Sequence, residues 1–216
     1  IVLEHPLRRL LAELQIVQVA VVLARDDAWF EREVRLPENL AAKLRTLYCG
    51  GESRAESVFN GLSSLLKHGV MQPDDKVLVH DAARCLITPA QIQRLIDACS
   101  QDPIGGLLAL PLPDTLKAQQ PTASHTAEAA PRVSATLPRH NKWLAQTPQM
   151  FHLGTLLHAL EAGLHEAPGS ITDEASAIER QGHAPLLVPG SASNFKVTYP
   201  EDFALAEAVL HARAAA

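Results

Sequence analysis

Short apolar runs alternate with amphipathic stretches along most of the chain. Helices are predicted where apolar residues recur every three or four positions, and strands where β-branched residues cluster in short runs. The predicted helices cover residues 3–14, 53–66, 89–99, 153–164, 172–181 and 200–213. The predicted strands cover residues 16–23, 45–49, 76–80, 104–110, 185–188 and 195–197. This alternation predicts an α/β fold, and residues 1–216 are expected to form a single domain.

Residues 118–132 break the alternation. The stretch contains no Val, Ile, Leu, Met, Phe, Trp, Tyr or Cys, so it can add little to a core. Segments that cannot be buried run over the surface of a protein. We therefore expect an exposed loop here, or the tip of a projecting arm.

Composition and charge narrow the class of protein. Hydrophobic residues make up 47% of the chain and charged residues 20%, as in globular proteins. The 19 Lys and Arg against 24 Asp and Glu leave a net charge of −5, which argues against nucleic acid and anionic membranes as partners. The longest apolar run, residues 19–24, is far too short to span a membrane, and no signal peptide is visible. Three cysteines without CxxC spacing indicate a reducing compartment, which we take to be the cytoplasm.

A pair of glycines, Gly50 and Gly51, joins a predicted strand to a predicted helix. Ser53 and Glu56 have the spacing of a capping box, which places the start of the helix here. Glycines before a helix N-terminus let backbone N–H groups approach a ligand closely, and the helix dipole favours an anion or a polar base edge. The same pattern also suits a plain tight turn with a good cap, and the local sequence leaves both interpretations open.

An acid, Asp81, directly follows the predicted strand at residues 76–80. In open α/β sheets, ligands bind at the carboxyl ends of the strands, where a carboxylate can hold a divalent cation. Arg84, three residues later, can offer a charge-assisted fork to a phosphate. The alternative is a turn in which Asp81 shapes the backbone and forms a surface ion pair with Arg84.

Two further polar positions allow either a functional or a structural interpretation. Thr172 is a natural N-cap for a helix that Asp173 and Glu174 open, and capping alone explains this motif well. Lys196 lies within a short predicted strand, where an outward-facing lysine is common. The ten histidines show no metal-binding spacing, which argues against a zinc site. The absence of GxSxG and GxxxxGK[ST] motifs weakens the case for a serine hydrolase or a P-loop enzyme.

Taken in order along the chain, these motifs resemble those of the 2-C-methyl-D-erythritol 4-phosphate cytidylyltransferase family. The resemblance spans nearly the whole chain, and several blocks in the right order are more specific than any one block. Residues 1–5 look like the helix that follows the nucleotide loop of the family. The other matching blocks are Gly50-Gly51 through Arg54, Ser57-Val58, Val79 through Arg84, Asp114-Thr115 with Lys117, Arg139, Gln146 through Gln149, Thr172 through Ala175, Asn194 through Thr198, and Pro200 through Asp202.

The resemblance implies a fold and an activity. The implied fold is a Rossmann-like, mostly parallel sheet flanked by helices, of the nucleotidyltransferase type, with a projecting β-arm at residues 112–139. The implied enzyme joins CTP to 2-C-methyl-D-erythritol 4-phosphate, giving 4-diphosphocytidyl-2-C-methyl-D-erythritol and pyrophosphate for isoprenoid precursor biosynthesis. Mg²⁺ on the triphosphate is the implied cofactor. The implied assembly is a homodimer in which the arm enters the site of the partner.

By the same resemblance, the matching positions acquire expected roles. The residues expected to meet the nucleotide are Gly51, Glu52, Ser57, Asp81 and Ala82, and Asp81 is also the expected magnesium ligand. The expected catalytic residues, which also bind and position the attacking phosphate, are Arg139 and Lys196. Further expected substrate contacts are Arg84, Thr115, Thr147 and Thr172.

The sequence departs from the family in two places. The family begins with a strand and a glycine-rich loop whose arginine and lysine stabilise the triphosphate, and nothing in these residues matches that loop. Cys85 stands where the family usually has proline, which we expect to loosen the turn slightly.

Other functions stay open from the sequence. They are ribitol-5-phosphate cytidylyltransferase, which shares the fold and the Thr-Pro-Gln block, a non-catalytic dimerising nucleotide-binding module, and an α/β protein that binds another nucleotide. The Ala82-Ala83 and Asp173-Glu174-Ala175 blocks favour the methylerythritol substrate.

Overall fold

A computed structural model describes residues 2–121, 130–166 and 169–215. Its strands are β1 Val19–Val22, β2 Leu44–Leu47, β3 Lys76–Val79, β4 Gly105–Pro111, β5 Leu116–Gln119, β6 Val133–Leu137, β7 Trp143–His152 and β8 Leu186–Pro189. Its helices are α1 Glu4–Ala12, α2 Phe30–Glu33, α3 Glu38–Ala41, α4 Arg54–Lys67, α5 Pro89–Cys99, α6 Leu153–Glu166, α7 Glu174–Arg180 and α8 Pro200–Ala214. Most of these elements coincide, within a few residues at each end, with those predicted from the sequence.

The main sheet has four strands in the order β3-β7-β4-β8. β8 pairs in parallel with β4, whereas β7 runs antiparallel to both β3 and β4. β3, β4 and β8 therefore point in one direction. A second, two-stranded sheet consists of β1 and β2 in parallel, with Val19 opposite Leu44. The expected α/β fold with a mostly parallel sheet is confirmed.

Apolar side chains cover both faces of the main sheet, and helices flank it. Leu107 and Phe151 pack in one cluster with side chains of α4, α6 and α7, whereas their neighbours Leu108 and Met150 pack with α1 and α5. Successive side chains of a strand alternate between the faces, so a near-continuous apolar run indicates a strand buried on both sides. β4 is such a strand over its first five residues, and Met150 and Phe151 of its neighbour β7 join the clusters on the two faces.

A cavity of about 1060 Å³ lies between β1 and β3, and residues of α1 and α4 also line it. Much of its lining is apolar and includes Leu62 and Leu78. At one point α4 lies directly on β1, because a Cβ on Gly61 would come within 2.5 Å of Val22 Cγ2. Glycine permits this close approach, although it is a poor helix former.

Side-chain caps explain where two of the helices begin. Ser53 Oγ accepts a hydrogen bond from the Glu56 N–H at 3.1 Å, so the predicted start of α4 is confirmed. The prediction that Thr172 caps α7 is wrong, because the N-cap is Asp173. Asp173 has the extended backbone of an N-cap, and its Oδ1 accepts from the Ser176 N–H at 2.9 Å. A carboxylate in this position also interacts favourably with the helix dipole.

Two local predictions differ from the structure. Residues 195–197 form no strand, because Phe195 and Val197 pack against Leu86 and Ala206 at the end of the sheet instead of pairing along a strand edge. In the stretch after β1, for which the sequence pattern predicts no element, α2 and α3 form single-turn helices. Phe30, at the start of α2, is buried with Leu7 and Leu11 of α1, so tertiary contacts stabilise a helix that is too short to form alone.

β5 and β6 pair in antiparallel fashion and form a third sheet, apart from the other two. We call these strands, with the segments that connect them to β4 and β7, the arm. All five residues of β6 are exposed, including Val133 and Leu137. Of the stretch predicted to be core-free, residues 122–129 lie outside the described residues. Within the described ranges, every helix is too short or too polar to cross a lipid bilayer.

Candidate active site

Two cavities meet beyond the carboxyl end of β3. Arg54, Asp81 and Lys196 line the cavity between β1 and β3, and the same three residues line a second cavity of about 260 Å³. Ser57 and Ala82 belong only to the larger cavity. The other predicted site residues in the smaller cavity are Arg84, Thr147 and Thr172. Segments that are distant in the sequence therefore converge where the sequence predicts a ligand crevice.

Each carboxylate oxygen of Asp81 faces a different cation. Oδ1 accepts a hydrogen bond from Arg54 Nε at 2.7 Å, and Oδ2 lies 3.3 Å from Lys196 Nζ. Burial alone would raise the pKa of this carboxyl, but the charges of Arg54 and Lys196 lower it. Asp81 is therefore ionised at neutral pH. The alternative of a surface ion pair with Arg84 is wrong, because Arg54 and Lys196 are the cations that pair with Asp81.

Arg54 also binds a buried acid. Its Nη1 and Nη2 donate to Glu174 Oε1 and Oε2 at 2.7 and 2.9 Å, and the Glu174 side chain is 0% exposed. Burial alone would lower the pKa of Arg54, but Glu174 and Asp81 raise it, so the guanidinium stays charged. The sequence predicts no role for Arg54 or Glu174, because each opens a helix, where a charged residue commonly faces solvent. The one local signal is the run of small and apolar residues that follows Glu174.

A chain of hydrogen bonds holds the backbone of Asp81. Its N–H donates to Thr147 Oγ1 at 2.9 Å, and Thr147 Oγ1 lies 3.2 Å from His80 Nδ1. His80 Nε2 lies 3.1 Å from the Arg84 carbonyl oxygen, which can only accept, so Nε2 carries the proton and the Thr147 hydroxyl donates to Nδ1. Burial lowers the pKa of His80 to about 4, which keeps this imidazole neutral. Thr147 thus supports the turn, and its expected substrate contact stays a prediction.

Backbone carbonyls fix the direction of Arg84. Its Nη1 donates to the Asn194 carbonyl at 2.8 Å and its Nη2 to the Ala145 carbonyl at 3.2 Å. Burial lowers the pKa of this guanidinium, and no acid forms an ion pair with it in the part of the chain described here. Arg84 therefore presents an unneutralised positive charge to the smaller cavity from a fixed position.

The loop that carries Lys196 is anchored although it is not a strand. Asn194 is 0% exposed, and its Nδ2 donates to the Thr147 carbonyl at 3.0 Å. The Val197 N–H donates to the Ala83 carbonyl at 2.9 Å, so the loop is tied down on both sides of Lys196. The lysine thereby reaches Asp81 from a loop, where the sequence pattern predicts an outward-facing strand position.

The backbone N–H groups of the glycine turn are bonded within the turn itself. The Gly51 N–H donates to Ser57 Oγ at 3.0 Å, and the Glu52 N–H donates to Glu56 Oε2 at 2.8 Å. A Cβ on Gly51 would lie 2.5 Å from the Glu56 side chain, so glycine lets the turn fold onto α4. The tight-turn interpretation explains these contacts, and Gly51 and Glu52 line neither cavity. Their contact with a nucleotide stays a prediction.

Thr115 and Arg139 lie on the arm. Both residues are exposed and line neither cavity, and Arg139 Nη1 contacts the Pro113 carbonyl within the arm. The structure of one chain therefore does not bring these two predicted residues to Asp81.

Comparison with known proteins identifies the family of this chain. The family model described as 2-C-methyl-D-erythritol 4-phosphate cytidylyltransferase (IspD) matches residues 1–212. A protein of that name from Laribacter hongkongensis is 52% identical, over 96% of this chain and 83% of its own length. The crystal structure of a 4-diphosphocytidyl-2C-methyl-D-erythritol synthase aligns with a TM-score of 0.81, at 36% identity over 97% of this chain and 90% of that one. The chain belongs to the 2-C-methyl-D-erythritol 4-phosphate cytidylyltransferase family.

Members of this cytidylyltransferase family differ in length. The bifunctional enzyme IspD/IspF of Albidiferax ferrireducens is 54% identical over 97% of this chain, which spans only 46% of that relative. The 2-C-methyl-D-erythritol 4-phosphate cytidylyltransferase structure from Thermus thermophilus aligns with a TM-score of 0.73 at 30% identity, over 97% of this chain and 89% of that one. The family match includes every predicted site residue, because all of them lie between Gly51 and Lys196.

The surroundings of Asp81 in this cytidylyltransferase fit a magnesium ion held mainly by substrate. Across residues 2–121, 130–166 and 169–215, no three His, Cys, Asp or Glu side chains form a metal-binding group. Mg²⁺ is commonly bound by one or two carboxylates together with substrate phosphates and waters. Of the described acids, Asp81 is the one that lines both cavities. A single carboxylate beside the cations Arg84 and Lys196, which could bind phosphate, meets that requirement.

The turn after β3, which precedes Cys85, is closed. The Arg84 N–H donates to the Asp81 carbonyl at 2.9 Å, and Cys85 itself is buried against Leu86. Burial raises the pKa of its thiol, so Cys85 is an apolar packing residue rather than a nucleophile.

Proposed function

We propose that this cytidylyltransferase joins CTP to 2-C-methyl-D-erythritol 4-phosphate, giving 4-diphosphocytidyl-2-C-methyl-D-erythritol and pyrophosphate. The observation that carries the proposal is the position of Asp81, between two cations and at the meeting point of two cavities. Family membership over residues 1–212 supports the choice of both substrates.

In the proposed reaction, an oxygen of the methylerythritol phosphate attacks the α-phosphorus of CTP. The new bond joins that oxygen to the α-phosphorus, the bond to the β-phosphate bridging oxygen breaks, and pyrophosphate leaves in line. The protein forms no covalent bond with either substrate in this step. Its role is to position the two phosphates and neutralise their charge. When Mg²⁺ is bound, it withdraws charge from the triphosphate, and Asp81 is the residue that would hold it.

The two cavities suggest how the substrates divide the site. Ser57 and Ala82 line the larger cavity, and Ser57 contacts Gly51, so we assign this side to the nucleotide. Arg84, Thr147 and Thr172 line the smaller cavity, which we assign to the attacking phosphate. Lys196 lines both, and its ammonium group, which pairs with Asp81, belongs to a side chain that is 47% exposed and therefore accessible to the attacking phosphate.

We further propose a homodimer in which the arm of one chain completes the site of the other. Two expected substrate residues, Thr115 and Arg139, lie on the arm and line neither cavity of their own chain. The exposed apolar residues Val133 and Leu137 give the arm a surface that a second copy could cover. Delivery of Arg139 to the partner would place a second arginine near the attacking phosphate.

The assignment of substrates is tested by pyrophosphate release from the full-length protein. We expect turnover of CTP with Mg²⁺ and methylerythritol phosphate, and none with ribitol 5-phosphate. Equal or faster turnover of ribitol 5-phosphate would reverse the assignment. CTP binding without turnover of either acceptor would instead favour a non-catalytic module. A thermal-shift comparison of CTP with ATP, GTP and UTP tests the choice of nucleotide.

The arm proposal is tested by mixing two inactive variants. We expect Asp81→Asn and Arg139→Ala each to reduce activity strongly as homodimers. After unfolding and refolding together, half of the dimers are mixed, and one of the two sites in each mixed dimer has both native residues. Recovery of about a quarter of the wild-type activity is therefore expected from random pairing. No recovery, with mixed dimers demonstrated, would show that Arg139 acts within its own chain.

We also propose that the protein works in the cytoplasm. Cys49, Cys85 and Cys99 are all free thiols, which suits a reducing compartment. Fractionation of cells that express the full-length protein tests this location.

A further inference from the structure

Glu174 lines neither cavity, yet one side chain links it to Asp81. Arg54 contacts both acids: its Nη atoms bind Glu174 at 2.7 and 2.9 Å, and its Nε binds Asp81 at 2.7 Å. The chain positions of Arg54 and Glu174 differ by 120 residues, so this contact joins the first residue of α4 to the first residue of α7. Glu174, which is completely buried, is thus connected through Arg54 to Asp81, the expected magnesium ligand.

The contacts of Arg54 decide which of the two cations orients Asp81. A planar guanidinium held at both Nη atoms cannot rotate, so the direction of its Nε–H bond is fixed. Lys196 approaches Asp81 less closely, at 3.3 Å, on a flexible side chain that is 47% exposed. All three Arg54 nitrogens donate to carboxylates, although the side chain also lines both cavities. Arg54 therefore holds Asp81, and Glu174 holds Arg54.

We propose that Arg54 and Glu174 are positioning residues that aim the Asp81 carboxylate at the magnesium–triphosphate complex. The inference rests on the proposed function, because it requires Asp81 to hold the metal. Residues that orient a metal ligand without touching the metal commonly change metal affinity about 10- to 100-fold when they are replaced. A purely structural tie between α4 and α7 would change the amount of folded protein but not its magnesium requirement.

Two conservative variants separate these cases. Glu174→Gln keeps the shape of the side chain but removes its charge and one acceptor oxygen. Arg54→Lys keeps the charge but cannot contact Glu174 and Asp81 with three fixed donors. The matched controls are Glu179→Gln and Arg180→Lys, which make the same chemical changes at exposed positions of α7. Near-ultraviolet circular dichroism and thermal unfolding establish which variants are folded.

The measurement is CTP binding to the full-length protein by calorimetry, at a series of Mg²⁺ concentrations. We expect Glu174→Gln and Arg54→Lys to raise the Mg²⁺ concentration for half-maximal binding about tenfold or more, and the controls to change it less than about twofold. If Glu174→Gln does not fold, Arg54→Lys decides the question. A folded variant with an unchanged Mg²⁺ requirement overturns the inference.

A double-mutant cycle shows whether Glu174 acts through Asp81. In an Asp81→Asn background, Glu174→Gln should cause no further loss of Mg²⁺-dependent CTP binding, because the group that it orients has been removed. Independent, additive losses would overturn the inference while leaving the proposed function intact. A wild-type protein that binds CTP equally well without Mg²⁺ would instead overturn the proposed metal role of Asp81 itself, and the inference with it.

Discussion

The site around Asp81 and the arm hold their polar residues in opposite ways. Around Asp81, each side chain has partners from distant parts of the same chain: Glu174 binds Arg54, and the Asn194 amide binds the Thr147 carbonyl. On the arm, the residues of β6 are all exposed, and the two expected substrate residues contact neither cavity. The side chains around Asp81 are fixed by contacts within the chain, whereas the described strand β6 of the arm is exposed along its whole length.

This difference shows which part of the active site a single chain can preorganise. Charges that must be placed to within a fraction of an ångström are attached to rigid elements and supported by further contacts. In the described part of the arm, the strands pair only with each other, so its contribution to the site is expected to depend on what it binds. We expect substitutions near Asp81 to act on chemistry or folding, and substitutions on the arm to act on one substrate and on assembly.

The largest effect is expected from Asp81→Asn. The amide keeps the shape of the side chain but removes the charge that would hold the metal, so kcat/KM should fall about 1000-fold, equivalent to about 4 kcal/mol of transition-state stabilisation. Steady-state kinetics at saturating Mg²⁺ measure this. Asp74→Asn, the same change in an exposed turn before β3, is the control and should leave kcat/KM unchanged. An Asp81→Asn variant with near-native kcat/KM would remove the acid from the mechanism.

Removing the same side chain from the core and from the arm should have unequal effects on stability. Leu108 is 0% exposed, so Leu108→Ala leaves a cavity and should lower the free energy of unfolding by about 3 kcal/mol. Leu137 on the arm is 41% exposed, and Leu137→Ala should cost less than about 1 kcal/mol. Urea unfolding at a protein concentration low enough to favour monomers measures both. Similar losses would mean that the arm is part of the core.

Arg139→Ala should affect the two substrates differently. We expect a higher KM for methylerythritol phosphate or a lower kcat, together an effect of about 100-fold on kcat/KM, with little change in CTP affinity. Arg132→Ala, another exposed arginine of the arm, is the matched control. Loss of CTP binding with normal handling of the sugar phosphate would show that the division of the site between the substrates is wrong.

Lowering the pH should reduce the free energy of unfolding because of His80. Burial lowers the pKa of His80 from its ordinary 6.5 to about 4 in the folded protein, so below pH 6.5 the unfolded chain binds a proton that the folded chain does not. Stability from this residue is complete above pH 6.5 and is lost towards pH 4, by roughly 2 kcal/mol at pH 5. Urea unfolding at pH 7 and pH 5 should show that His80→Gln loses less than wild type. His158→Gln, at an exposed position, should lose as much as wild type.

The sequence predicts local features well and long-range pairs poorly. Apolar periodicity locates the main helices and strands, and the cap at Ser53 follows from residues three positions apart. The pair of Arg54 and Glu174 is not predictable in this way, because each residue in isolation suits an ordinary helix start. The packing of Phe195 is missed for the same reason: two apolar residues that flank a lysine do not reveal whether the segment pairs as a strand or packs as a loop. Both errors come from contacts between segments that are distant in the sequence.

The contact of Gly61 with Val22 has a mechanical consequence. Arg54 and Gly61 lie on the same helix, seven residues or about 10 Å apart along its axis. A helix of this length behaves as a rigid body. The distance between α4 and β1 at Gly61 therefore also determines where the Arg54 guanidinium lies. The missing side chain at Gly61, in the middle of α4, thus helps to set the position of the Arg54 charge at the start of the helix.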